Sequence, residues 1–342
     1  MIVRWGVIGA KGIANECTIP GILRANNSLV EAIMDRNEKV IKKIQHKYNI
    51  KKAYTDINSL LNDKEIDAIY IATPVYCHRE HTILAAKAKK HILLEKPMGL
   101  NPEECKEMID VANENGVKLG IAFMMRFGAY HKAVKKILED GEIGDIITTR
   151  IQYSWWYPDA DVWRLDPKLS GGGTVMDLGS HCIDLIQWLV SSKIKSVAAL
   201  TETKTFHYQV EDSAQIMYVM ENGAWGTFNF HFNIPNSISN NTLEIYGTKG
   251  SIVCYNTIGR EDTGEIILKT KGYNGNTDFT DYNLTRISVN PVNRYTMEVE
   301  NFANSIITCS DFCVKAEDGL NVAKVISAIY RSSVTKKFED VV

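Results

Sequence analysis

One lysine and a later group of two acids and a histidine are the residues whose types and spacing suggest chemistry. Lys96 stands between a glutamate and a proline at the end of an apolar run. Asp177, His181 and Asp184 are spaced by four and then three residues, which places them on one face of a helix. Histidine suits proton transfer near neutral pH, a carboxylate orients it, and an ammonium stabilises charge on a substrate oxygen. These types predict reversible oxidation of a secondary alcohol, with an ordinary solvated helix face as the alternative for the second group.

A glycine-rich turn after the first apolar run is the second chemical motif. Gly9, Lys11 and Ala14 fill the three places of the G-x-G-x-x-G/A dinucleotide fingerprint, whose second place normally holds glycine. The Cβ of Lys11 keeps the backbone away from a pyrophosphate, whereas its ammonium attracts phosphates. An ordinary strand-to-helix turn is the alternative. The residues assigned to the cofactor here are Gly9, Lys11, Gly12 and Ile13.

Two adjacent charges at the end of the second apolar run bear on the choice of cofactor. Asp35 lies about as far downstream as an acid that binds the ribose hydroxyls, which favours NAD. Arg36 next to it would hold a 2′-phosphate, which favours NADP. Asp35 could also simply begin a turn. NAD is somewhat favoured, and the choice between NAD and NADP stays open.

These residues must be positioned by two halves that are built differently. Up to about residue 124, short apolar runs alternate with amphipathic ones, which predicts βαβ units and a parallel sheet. In such a sheet, ligands lie beyond the carboxyl ends of the strands, where Lys96 falls. The predicted strands are residues 3–8, 28–34, 68–72, 91–94 and 118–123. The predicted helices are residues 20–25, 38–48, 78–89 and 102–115.

The second half changes to period-two alternation, which predicts a largely antiparallel sheet. Asn222-Gly223, between residues 210–221 and 224–233, predicts a two-residue hairpin turn with positive φ at both positions. Helices over 174–190, 295–308 and 315–333 are predicted to cover this sheet. The chain is therefore predicted to be an α/β protein with two domains, residues 1–124 and 125–342.

Composition excludes several classes of protein. The 39 basic and 41 acidic residues leave a net charge of −2, so no field favours nucleic acid or an anionic membrane. Seven scattered cysteines without C-x-x-C spacing predict a reducing cytoplasm and no metal site. The first residues lack the basic start, long apolar stretch and small-residue cleavage site of a signal peptide, and no run approaches about 18 apolar residues, so neither a signal peptide nor a membrane span is expected. A cytoplasmic protein with a small-molecule partner is expected.

Taken in order, the motifs resemble the glucose-fructose oxidoreductase, inositol dehydrogenase and MocA family over nearly the whole chain. The resemblance is carried by Ala72-Thr73-Pro74 with His78, Glu95-Lys96-Pro97, Phe123-Met-Met-Arg126-Phe127 and Gly-Gly-Gly-x-x-x-Asp177-x-Gly-x-His181-x-x-Asp184. It implies an N-terminal Rossmann domain that binds NAD(P) and a C-terminal α/β domain with an open sheet. It also implies hydride transfer on a sugar, sugar derivative or cyclic polyol, which makes the chain an NAD(P)-dependent dehydrogenase or reductase.

The resemblance further implies roles for individual residues. Lys96, Asp177 and His181 would be the catalytic set. The residues near the nicotinamide half of the cofactor would be Thr73, Pro74, Glu95 and Lys96, and His78 is also assigned to the cofactor. The second domain would bind substrate and would associate through its open sheet, so a homodimer or homotetramer is expected.

Aromatic and basic residues before the glycine run predict where the substrate lies. The substrate candidates are Arg126, Tyr157, Trp163, Arg164, Asp177 and His181, with a purely structural role as the alternative for Arg126 and Tyr157. Arg164 would hold a carboxylate or phosphate, or pair with Asp159, Asp161 or Asp166. Two other functions stay open: a glycoside hydrolase that retains NAD without net oxidation, and a non-catalytic sugar or nucleotide sensor. The complete catalytic set argues against the sensor.

Overall fold

The computed structural model describes residues 1–272 and 282–342. These residues form two compact units. The first comprises Met1–Met124, Leu169–Gly171 and Asn293–Ala323, and the second comprises Met125–Lys168, Gly172–Val292 and Lys324–Val342. The division of labour between a cofactor domain and a substrate domain stays a prediction. Within the described ranges, no helix combines the length and apolar character needed to cross a bilayer.

A parallel sheet forms the centre of the first unit. Its strands are β1 (Val3–Ile8), β2 (Ser28–Met34), β3 (Lys52–Tyr54), β4 (Ala68–Ile71), β5 (His91–Glu95) and β6 (Leu119–Ala122). The helices between them are α1 (Ile19–Arg24), α2 (Glu38–Tyr48), α3 (Ile57–Leu61), α4 (His78–Lys87) and α5 (Pro102–Glu114). The described strands pair in parallel in the order β3-β2-β1-β4-β5-β6. This order reverses beside β1, as in a doubly wound Rossmann fold, and confirms the predicted parallel sheet and Rossmann domain.

Local signals explain where these elements begin. The side chain of Asn37 accepts a hydrogen bond from the backbone N–H of Val40, and Asn101 caps α5 in the same way through Glu104. Strand β4 is buried along its whole length, as expected for a strand covered on both faces. The sequence did not predict β3 and α3, because three and five residues are too few for a periodic signal.

The second unit contains a larger mixed sheet. Its strands are β7 (Ile146–Ser154), β8 (Ile194–Glu202), β9 (Ser213–Met220), β10 (Trp225–His231), β11 (Thr242–Gly247), β12 (Gly250–Tyr255), β13 (Glu265–Lys271), β14 (Tyr282–Arg286) and β15 (Glu339–Asp340). Among the described residues, the order is β14-β13-β12-β11-β7-β10-β9-β8-β15. Only β7 and β10 pair in parallel there, which confirms the mostly antiparallel sheet. The later helices of the chain are α6 (Ala129–Glu139), α7 (Pro167–Ser170), α8 (Ser180–Val190), α9 (Arg294–Ile307) and α10 (Ala316–Thr335).

Helix α9 belongs to the first unit, so its predicted place over the second sheet is wrong. The ring of Phe302 lies 5.7 Å from the ring of Trp5 in β1. Gly21 of α1 makes room for the helix, because a Cβ there would come within 3.0 Å of Tyr295. The helix therefore packs on the parallel sheet, where a small residue permits close approach. Helix α10 contributes its residues up to Ala323 to the first unit and the rest to the second.

The predicted hairpin joins β9 to β10, but its turn differs from the prediction. The N–H of Gly223 donates to the carbonyl of Met220 at 3.0 Å, and Met220 pairs with Ala224. Gly223 has a φ of +87°, whereas Asn222 keeps a negative φ. The loop is thus a three-residue type with one left-handed glycine, which needs positive φ at a single position.

Candidate active site

The glycine turn after β1 is held tightly at one end and open at the other. Gly9 has a φ of +82°, and a Cβ there would lie 2.8 Å from the backbone of Ala72 and Thr73. Gly12 has a φ of +50°, and a Cβ there would meet no atom within 4 Å. Only glycine at position 9 lets this turn approach the end of β4. Gly12 is exposed, so the turn leaves open space at that end.

Lys11 forms an ion pair with the acid at the end of β2. Its Nζ atom lies 3.1 Å from Oδ1 of Asp35, and the side chains are 51% and 11% exposed. The same oxygen of Asp35 accepts the backbone N–H of Asn37 at 2.9 Å. Asp35 thus begins a turn, and its carboxylate lies directly after β2, the neighbour of β1 in the sheet. Arg36 is exposed beside it.

His78 is buried against the loops that follow β4 and β5. Its Nε2 atom is 2.8 Å from the carbonyl of Thr73, and its Nδ1 atom is 2.9 Å from the carbonyl of Pro97. Burial lowers the pKa of His78 to about 4, so the ring is neutral at pH 7 and donates to one of the two carbonyls. His78 therefore contacts the carbonyls of both loops and forms a hydrogen bond with one of them. His81, which the sequence did not single out, lies 3.1 Å from the hydroxyl of Thr73.

Glu95 is held by a buried tyrosine. The hydroxyl of Tyr70 in β4 donates to Oε1 of Glu95 and accepts from the hydroxyl of Thr18 at 2.9 Å. The other carboxylate oxygen of Glu95 accepts the backbone N–H of Lys96 at 3.1 Å. Burial, together with the charge of Glu95, raises the pKa of Tyr70, so the tyrosine stays a hydrogen-bond donor. This chain of contacts fixes the backbone from which the Lys96 side chain extends.

The first unit therefore brings most of the predicted cofactor residues to neighbouring strand ends. Gly9 follows β1, Asp35 follows β2, Thr73 follows β4, and Lys96 follows β5. The strands β2, β1, β4 and β5 are adjacent in the sheet. Half-buried Ile13 and Pro74 lie in the same turns. The arrangement is the crevice at which open parallel sheets bind ligands.

In the second unit, Asp177 precedes the regular helix. Residues Val175–Gly179 form a π-helical turn, and α8 begins at Ser180. A π-helical turn is wider than an α-helical one, so the direction of Asp177 relative to His181 differs from the direction that uniform α-helical spacing predicts. Single π-helical turns are frequent at functional sites. His181 is half-buried on the first turn of α8.

Arg164 pairs with Asp177, a partner that its spacing in the sequence did not suggest. Its Nε atom lies 3.5 Å from Oδ2 of Asp177. The centre of its guanidinium is 4.6 Å from the ring centroid of Trp163, within range of a cation–π contact. Three predicted substrate residues are thus clustered. Tyr157, another predicted substrate residue, is half-buried with its ring 5.3 Å from that of Phe232.

Arg126 is a buried partner of the helix. Its Nε atom donates to Oδ2 of Asp184 at 2.9 Å, and a terminal nitrogen donates to the other oxygen. The two side chains are 9% and 1% exposed. A two-pronged contact of this kind fixes the geometry of both groups. It anchors α8 from the side of Asp184.

Two family models match the chain. An oxidoreductase family with an NAD-binding Rossmann fold matches residues 3–123. The GFO/IDH/MocA C-terminal domain matches residues 131–253.

Individual relatives match over most or all of their length. The chain is 27% identical over 334 residues to the 1,5-anhydro-D-fructose reductase of Ensifer adhaerens, covering 97% of this chain and 96% of that protein. It is 31% identical over 260 residues to the trans-1,2-dihydrobenzene-1,2-diol dehydrogenase of Mus musculus, covering 73% and 74%. A solved structure of levoglucosan dehydrogenase, in complex with NADH and levoglucosan, has a TM-score of 0.89 at 24% identity, with complete coverage of both chains.

Proposed function

Because the chain belongs to the GFO/IDH/MocA oxidoreductase family, we propose that it transfers hydride between NAD(P) and a secondary alcohol or ketone of a sugar, sugar derivative or cyclic polyol. The observation that carries the proposal is the set of Gly9, Asp35, Thr73 and Lys96 at adjacent strand ends. A reductase of an anhydro sugar among the relatives supports the substrate class.

The cofactor would be held by the turn between Gly9 and Gly12, with its ribose at Asp35 and its nicotinamide end near Thr73 and Lys96. When bound, NAD(P) accepts or supplies the hydride. Asp35 favours NAD, but its ion pair with Lys11 weakens repulsion of a 2′-phosphate. Both cofactors are therefore expected to bind, NAD somewhat more tightly.

Three side chains of this protein would manage the charge and the proton. His181 would take the proton from the substrate hydroxyl during oxidation and return it during reduction. Asp177 would orient the imidazole and stabilise its charged form. The Lys96 ammonium would stabilise charge that develops on the substrate oxygen. Arg164 and Trp163 would contact the substrate, with the guanidinium oriented by the indole ring.

Calorimetric titration with NAD, NADH, NADP and NADPH tests the cofactor part of the proposal. Binding of at least one of them, followed by a steady change at the nicotinamide absorbance band with a sugar or polyol, is the expected result. Turnover of a glycoside without net absorbance change would favour the hydrolase that retains NAD. Failure of all four dinucleotides to bind would favour the sensor.

We further propose that copies of the chain associate through the open face of the second sheet. Leu200, Met217 and Trp225 are 60%, 52% and 65% exposed. The pairing registers place these three side chains on the same face of β8, β9 and β10. Exposed apolar side chains on one face are typical of an association surface. Light scattering should give the mass of a dimer or tetramer, and Trp225→Glu should reduce it; a monomeric wild-type protein would contradict the proposal.

A further inference from the structure

A buried glutamate collects the backbone N–H groups at the start of the helix segment that carries Asp177. The N–H of Gly173 donates to Oε2 of Glu211, and the N–H of Val175 donates to Oε1, both at 2.9 Å. The N–H of Thr174 donates to the backbone carbonyl of the same glutamate at 3.1 Å. Three consecutive N–H groups therefore end on one residue, which meets the need for acceptors at a helix start.

A tyrosine from α10 completes this arrangement. The hydroxyl of Tyr330 donates to Oε1 of Glu211 at 2.9 Å. Glu211 is only 9% exposed, so its carboxylate oxygens depend on protein donors rather than on water. The first hydrogen bond within the following turn runs from the N–H of Asp177 to the carbonyl of Gly173, at 3.0 Å. Gly173 therefore donates its N–H to Glu211 and accepts the N–H of Asp177 at its carbonyl.

The same contacts explain why Gly172 and Gly173 are glycines, for which the sequence alone gave no individual role. A Cβ at Gly173 would lie 2.1 Å from the carbonyl oxygen of Glu211. A Cβ at Gly172 would lie 1.8 Å from the hydroxyl oxygen of Tyr330. Neither distance is possible for a real side chain, so both positions require glycine for close packing. These two glycines of the run thus serve packing against the glutamate and the tyrosine.

We propose that Glu211 and Tyr330 are positioning residues, which fix the first turn before α8 and thereby the placement of Asp177 and His181. The inference rests on the proposed function, because that function assigns Asp177 and His181 to the substrate. Glu211 would act on Asp177 and His181 only by holding the N–H groups at the start of this helical segment. Asp177 lies within the π-helical turn Val175–Gly179, so a shift of this turn moves its side chain directly.

The variants Tyr330→Phe and Glu211→Gln test the inference. Tyr330→Phe removes one hydroxyl, and Glu211→Gln keeps the shape but places an amide donor against an N–H or the tyrosine hydroxyl. Tyr246→Phe is the matched control, because its hydroxyl donates to Oε2 of Glu244 at 2.7 Å in the same unit. A lost hydrogen bond to a buried carboxylate predicts changes of about tenfold or more.

Amide hydrogen exchange over residues 173–181, steady-state kinetics and calorimetric titration with NAD(P)H are the readouts. In both variants we expect exchange there to be roughly tenfold faster and kcat about tenfold lower. KM and the Kd of NAD(P)H should stay within about twofold of wild type, because the altered contact acts on orientation and the cofactor residues belong to the other unit. The control variant should match wild type in all four quantities.

The outcomes separate the inference from the proposed function. Unchanged exchange over residues 173–181, or faster exchange with unchanged kcat, would overturn the positioning role. If wild-type protein turned over no sugar or polyol, the proposed function would fail, and exchange alone would still decide whether Glu211 and Tyr330 hold the helix start. Glu211→Ala, which removes both acceptors, should exceed Glu211→Gln in its effect on exchange; the reverse order would contradict the inference.

Discussion

The Nζ atom of Lys11 lies 3.1 Å from Oδ1 of Asp35, so the residue in the second fingerprint place neutralises the acid expected to select the cofactor. A glycine at position 11 would leave Asp35 without this charge. The departure from the fingerprint therefore changes the electrostatics of the ribose site as well as the space near the phosphates.

Replacement of Lys11 should sharpen the preference for NAD. In Lys11→Met, Asp35 keeps its charge without the ammonium, so NADPH binding should weaken about tenfold relative to NADH binding. Lys11→Gly should show the same change in ratio and should also tighten the binding of both cofactors, because the backbone can approach the pyrophosphate. Calorimetric titration of wild type and both variants with NADH and NADPH gives the dissociation constants. An unchanged ratio in both variants would mean that the ion pair has no part in selection.

Loss of the Tyr70 hydroxyl should impair Lys96 through Glu95. Tyr70→Phe removes the donor to a buried carboxylate, which should cost about 2 kcal/mol in the free energy of unfolding and lower kcat about tenfold. The Kd of the cofactor should change little. Tyr54→Phe is the control, because its hydroxyl donates to Asp63 at 3.0 Å in the same unit. Equal loss of kcat in both variants would show a general effect of destabilisation.

His78 should make the protein sensitive to acid. Its pKa is lowered from 6.5 to about 4 by burial, so between these pH values the imidazole is protonated in the unfolded chain and neutral in the folded chain. The stabilisation is complete above about pH 6.5 and is lost as the pH falls toward 4, by up to about 3 kcal/mol. Urea unfolding of wild type and His78→Gln measures this. The stability difference between the two proteins should shrink across that range, and a difference independent of pH would refute the assignment.

Removal of Asp184 should destabilise the second unit strongly. Asp184→Ala leaves the buried guanidinium of Arg126 without its two-pronged acceptor, which should cost about 3–5 kcal/mol in the free energy of unfolding. The exposed pair of Lys106 and Asp110 supplies the control: Asp110→Ala should cost no more than about 0.5 kcal/mol. Urea unfolding reports both. Similar small losses would show that the buried pair contributes little.

Much of the fold could be predicted because its signals are local. The predicted bounds of β1, β2 and α2 match the structure, since buried apolar strands and a cap such as Asn37 are visible within a few residues. The place of α9 could not be predicted in this way. Its apolar face suits either sheet, and contacts with Trp5 and Gly21, far away in the chain, decide where it packs.

The motif residues of the candidate site could be predicted from the sequence, but the residues that hold them in place could not. Gly9 and Asp35 follow from spacing after strands. Tyr70 lies in an apolar strand, where its type suggests ordinary core packing, and its partner Thr18 is 52 residues away. Glu211 and Tyr330 are separated by 119 residues. No local pattern connects such pairs, so only the folded chain reveals them.

Hydride transfer by the wild-type protein and by Lys96→Ala is the measurement that tests the central claim most directly. Each protein is saturated with the cofactor that calorimetry selects, and turnover of a panel of sugars and cyclic polyols is followed at the nicotinamide absorbance band. We expect wild-type turnover of at least one compound, and a loss in kcat of about a hundredfold or more in Lys96→Ala with cofactor binding retained. Equal turnover by the two proteins would contradict the assignment of Lys96, and absence of turnover by wild type would contradict the proposed reaction.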